Sequence, residues 1–79
     1  MDETNLKLLS VIQSGQTVKL ARIDAGRDLN ARLASMGLFP NVEIKVIKNG
    51  HPGPFVVSVK DSKIALGRGM ANKILVTEV

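Results

Sequence analysis

The sequence predicts a small, mainly β domain: a closed or nearly closed antiparallel barrel with helical corners. Three observations predict it. Apolar residues alternate with polar ones in short runs, of which Val42, Ile44, Val46 and Phe55, Val57, Val59 are the clearest. One helical period, Leu29, Leu33 and Met36, stands between the first two runs. Strand–helix–strand spacing does not recur, so a parallel sheet is not indicated. About five antiparallel strands are expected. One helix lies between the first two, and a single helical turn precedes the last.

Each element has a local reason. Leu8, Leu9 and Ile12 form an apolar segment too short for a stable helix, expected to lie on the barrel as a lid. Residues 1–5 have little to bury and are expected to be disordered. Thr17 to Asp24 alternates until Arg22-Ile23, where a bulge would curve the strand. Asp28 is a suitable N-cap, because its carboxylate can accept from the free N–H groups of the first turn. Gly37 is the natural helix stop, after which Leu38 can fold back on the last turn. Val42 to Val46 is the second strand. Asn49-Gly50-His51-Pro52-Gly53-Pro54 is too dense in turn residues for regular structure. Phe55 to Lys60 is the third strand and Asp61-Ser62 a hairpin turn. Ile64 and Leu66 open the fourth strand, Gly67 to Lys73 supplies the helical turn, and Ile74 to Glu78 closes the barrel.

The 79 residues make one domain, 1–79. A chain of this size buries only about 60% of its unfolded surface, so each large core side chain matters. Cysteine is absent, which excludes disulfides and thiolate metal sites. Apolar runs are far shorter than the roughly 20 residues that span a bilayer, so no membrane insertion is expected. The start, Met1-Asp2-Glu3-Thr4, does not resemble a signal peptide, and a cytoplasmic location is expected. The net charge of +4 is spread along the chain, as on a solvated surface.

Candidate chemistry is sparse. His51 is the lone histidine and the one candidate metal ligand. Zinc takes four protein ligands, or three and water, and open ferrous sites take two histidines and a carboxylate. No resident cofactor is therefore expected, and at most a divalent metal held weakly or between two copies. Gly67-Arg68-Gly69 lacks the spacing and the Lys-Ser/Thr ending of a phosphate-binding loop. Asp24, Asp28, Glu43 and Asp61 have no His or Ser at a spacing that would pair them for acid–base or nucleophilic work, so no enzyme is expected. Nucleic-acid binding by small barrels uses aromatic platforms, and only Phe39 and Phe55 are available. A protein partner remains. Leu38 and Phe39, after the helix stop and beside Arg32, would form an apolar docking pair. The alternative surface is the Gly67–Lys73 corner with Arg68 and Lys73.

From about Leu9 to Val76 the sequence resembles the FeoA family. The resemblance is carried by Ser14-Gly15-Gln16-Thr17-Val18, by Arg32-Leu33 with Met36-Gly37-Leu38 and Pro40, and by Val42-Glu43-Ile44-Lys45-Val46. Gly53-Pro54-Phe55-Val56-Val57-Ser58-Val59 and Ile64-Ala65-Leu66 with Ala71 and Ile74-Leu75-Val76 complete it. It implies an SH3-like barrel and a cytoplasmic accessory role in ferrous-iron transport. The implied partner is the cytosolic part of a membrane transporter carrying a GTPase domain. A weak homo-oligomer is compatible with it. The same module is similar to the C-terminal domain of metal-dependent repressors, which implies the alternative of a freestanding regulatory interaction module. Two positions depart from the family pattern. Asn41 stands where glycine is usual after the proline, and tolerates a left-handed backbone better than other residues. Asp61-Ser62 replaces a glycine turn.

Overall fold

Alternation places the apolar residues of the longer strands on one side of a single antiparallel sheet, which wraps them into one core. The computed structural model describes residues 6–50 and 53–79. The expected disorder of residues 1–5 and the role of His51 concern positions outside this set. The elements are β1 (Lys7–Leu8), a 3₁₀ turn (Leu9–Val11), β2 (Thr17–Ile23), α1 (Arg27–Ser35), β3 (Glu43–Asn49), β4 (Phe55–Val59), β5 (Ser62–Leu66), α2 (Arg68–Ala71) and β6 (Ile74–Glu78). The six strands lie in the order β1-β6-β2-β3-β4-β5. The last strand thus returns between the first two.

The core unites Val18 and Leu20 of β2, Ile44 and Val46 of β3, Phe55 and Val57 of β4, and Ile74 and Val76 of β6, all essentially inaccessible. Leu33 enters it from α1, and Leu9 and Ile12 from the N-terminal segment. Burying each such side chain contributes about 1.5–3 kcal/mol. The N-terminal segment therefore does cover the barrel, as expected of a lid. It also donates a strand that the sequence reading missed, Lys7 pairing with Val76 and Leu8 with Leu75. Two exposed residues carry no alternation by which such a strand could be read.

Other differences are local. The β2 bulge falls between Leu20 and Arg22, a residue before the expected place. Asp28 is not the N-cap: Gly26 holds that position, and Asp28 sits in the first turn, where its charge favours the helix dipole. Asn30 secures the entry instead, its Nδ2 donating to the carbonyls of Ala25 (2.8 Å) and Gly26 (3.1 Å). Met36 is exposed rather than buried, because the helix has ended at Ser35. Two backbone bonds close α1. Gly37, at φ 97°, donates to Ala34, and Leu38 donates to Leu33. This is the Schellman closure, with Leu38 and Leu33 as its apolar pair.

The β4–β5 turn falls one residue earlier than the expected Asp61-Ser62. Val59 pairs with Ser62, so the loop is Lys60-Asp61. Both residues have positive φ, 49° and 70°, the twist that a two-residue hairpin requires. At Asn41 φ is 76°, and the turn survives the loss of glycine as expected.

Candidate functional site

The residues singled out in the sequence separate into three groups. Leu38 is fully buried, so the apolar docking pair does not project as expected. The Schellman closure that ends the helix also turns Leu38 inward, and only Phe39 remains outside. Phe39 is 39% exposed and Lys60 Nζ lies 5.6 Å from its ring centroid. This distance is within cation–π range. Arg32, exposed in the last turn of α1, and the half-exposed Met36 complete that end of the helix.

Arg68 belongs to the second group. It is only half-buried and turns inward upon the loop after β3. Its guanidinium donates to Asn49 Oδ1 (2.9 Å) and to the Gly50 carbonyl, and lies 5.7 Å from the Phe55 centroid. Asn49 in turn donates through Nδ2 to the carbonyls of Ser10 (3.1 Å) and Ile12 (2.8 Å). Its backbone N–H donates to Ser14 Oγ at 3.0 Å. Arg68 is thus engaged in holding the N-terminal segment, β3 and α2 together. Asn49 went unnoticed in the sequence, where it reads as an ordinary turn residue; no local pattern marks a side chain whose partners lie 19 or more positions away. Lys73 is exposed at the same corner and its carbonyl accepts from Asp24.

His51 lies outside the described residues. Among the described residues no three His, Cys, Asp or Glu side chains stand together as a metal site. The one ion pair among them is Lys7 Nζ to Glu78 Oε2 at 2.8 Å. The hydrogen bond and charge of Lys7 hold the Glu78 carboxyl below its ordinary pKa.

The third feature is a shallow groove of about 560 Å³ beside Phe39. The Phe39–Val42 loop forms one wall and the Lys60-Asp61 hairpin another, with Thr17, Lys45 and Ser58 between them. The walls owe their shape to backbone at positive φ on both sides, at Asn41 and at Lys60-Asp61. An aromatic ring over an open polar trough suits the docking of another chain better than enclosure of a small molecule.

These features define a small SH3-like barrel whose distinguishing surface is a half-exposed aromatic beside a shallow groove. Comparison with known proteins agrees on the fold. The family model described as "FeoA domain" matches residues 7–78. The chain belongs to this FeoA family. A Methanocaldococcus jannaschii protein carrying the name "Putative Fe(2+) transport protein A" is 43% identical over 70 residues, which are 89% of this chain and 84% of that protein. A crystal structure described as an iron uptake regulatory protein, FeoA, superposes with a TM-score of 0.85 at 32% identity, covering 94% of this chain and 99% of that one. A manganese-dependent transcriptional repressor matches at a TM-score of 0.83 and 25% identity, over 94% of this chain but only 42% of the repressor. Among the described residues no helix is long and apolar enough to cross a membrane.

Proposed function

We propose that this protein is a non-enzymatic, cytoplasmic accessory factor of ferrous-iron transport. It docks on the cytosolic part of a membrane ferrous-iron transporter that carries a GTPase domain, and modulates that transporter. The observation that carries this reading is the 43% identity, along nearly the whole chain, to a protein named for Fe(2+) transport. Phe39 supplies the contact: it is the large aromatic that the barrel leaves half outside, with the groove beside it and Arg32 in the last turn of the preceding helix. Buried aromatic anchors dominate many interfaces, whereas rim charges mainly speed encounter. GTP hydrolysis on this reading belongs to the partner. Gly67-Arg68-Gly69 serves a helix of four residues whose Arg68 is engaged with Asn49 and Gly50.

An amide-shift NMR titration with the transporter's isolated cytosolic domain tests the reading. Saturable shifts centred on Met36 to Asn41 are expected. The likeness to a metal-dependent repressor supports a second reading, a freestanding regulatory module. Saturable shifts with the remainder of such a repressor, and none with the transporter domain, would favour it.

A further inference from the structure

The outer face of the sheet carries a lysine array that extends well beyond the Phe39 groove, with which it shares Thr17, Lys45, Ser58 and Lys60. Thr17, Lys45, Ser58 and Lys63 stand side by side on β2, β3, β4 and β5, paired in one continuous row. At the usual strand spacing this row spans roughly 14 Å. Lys48, opposite Val56, stands in the row on one side, and Lys19, opposite Glu43, in the row on the other. Lys60 follows β4, in the hairpin loop. All five lysines are exposed. None takes part in the one ion pair among the described residues, Lys7 with Glu78. Glu43 and Asp61 are the carboxylates that border them.

We propose that this face binds an anionic lipid surface, holding the protein electrostatically and reversibly against a membrane without inserting into it. The lysines form a two-dimensional array over four strands. An extended acidic peptide is a line and could meet one row of them; a plane of negative headgroups meets them together. Lysine is suited to such contact, because its ammonium is compact and its stem long and flexible. Single-stranded nucleic acid fits less well, since Phe39 at the margin of this face is a single platform, already faced by Lys60, where successive bases need several. The proposal does not depend on the transporter reading, although a protein held at the membrane would meet a membrane partner more often.

The test is co-sedimentation of the full chain with vesicles of phosphatidylcholine alone and of phosphatidylcholine with 30 mol % phosphatidylglycerol. The wild type is expected to sediment only with the anionic vesicles and to be released by high salt. Each lysine near such a surface contributes about fivefold to partitioning, so Lys45→Glu/Lys63→Glu should lower it by well over tenfold. Arg27→Glu/Lys73→Glu makes the same change of net charge on α1 and beside α2, away from these strands, and should lower it far less. Lys45→Gln/Lys63→Gln repeats the test without added carboxylates and should still lose most of the binding. Equal losses in the two charge-swapped proteins would make the effect one of net charge and overturn the assignment. So would equal sedimentation with neutral vesicles, or none with either. Capture on single-stranded poly(U) or on poly-glutamate that depends on Lys45 and Lys63, with no vesicle binding, would also overturn it and give the face to another anion.

Discussion

Leu33 and Asn41 show how much a single position carries in a chain of this size. Leu33 is wholly buried in the last turn of α1, and its carbonyl also accepts the bond from Leu38 that closes the helix. Leu33→Ala should cost about 2–5 kcal/mol, most of the stability of a small domain. A urea midpoint equal to that of the wild type would show that the helix does not pack on the barrel. Asn41 holds φ 76° at the turn into β3. Asn41→Val should cost about 1–2 kcal/mol, since a β-branched residue resists the left-handed region, while Asn41→Gly should leave the midpoint level or raise it. Phe39 behaves differently. It is 39% exposed, so Phe39→Ala should leave thermal stability nearly intact.

At the scale of elements, the attachment of the N-terminal segment is the most informative. Asn49 holds it by two side-chain bonds to Ser10 and Ile12, and Arg68 holds Asn49. Asn49→Ala would leave those carbonyls without their donor, at a cost of about 1–3 kcal/mol. Amide exchange of residues 9–16 should then quicken more than that of β3 and β4. A second tie joins β1 to β6 through Lys7 and Glu78. Because the folded Glu78 carboxyl titrates below its unfolded value, its small contribution is present above the unfolded pKa and is lost as pH falls through the folded one. Glu78→Gln should remove that part of the acid dependence of unfolding.

The same elements show what the sequence made legible. The cores of β3 and β4 were plain, because alternation and burial are the same fact viewed twice. The helix stop at Gly37 and the left-handed Asn41 were plain because few residues accept those dihedrals. The interior of the candidate surface was not. Leu38 and Phe39 are adjacent and both apolar, and only the Schellman bond from Leu38 to the Leu33 carbonyl decides that one is core and the other surface. Arg68 looked free for a partner because its acceptors, Asn49 and Gly50, are far away in sequence. The groove was illegible for the same reason: its walls come from loops that the sheet register alone brings together.

For the whole molecule, stability and recognition divide between the two sides of one sheet. Its inner face is apolar in every longer strand and holds the fold. Its outer face carries lysines, and its rim carries one exposed ring. Substitutions on the outer face can therefore leave the core undisturbed, which the proposed docking role requires. The direct measurement is the dissociation constant for the transporter's isolated cytosolic domain, for wild type and Phe39→Ala side by side, with the melting temperature of each. Saturable binding by the wild type is expected. In Phe39→Ala it should weaken by more than about fivefold, or ~1 kcal/mol, at nearly unchanged melting temperature. No binding by the wild type, or equal affinity in the two proteins, would contradict docking through Phe39.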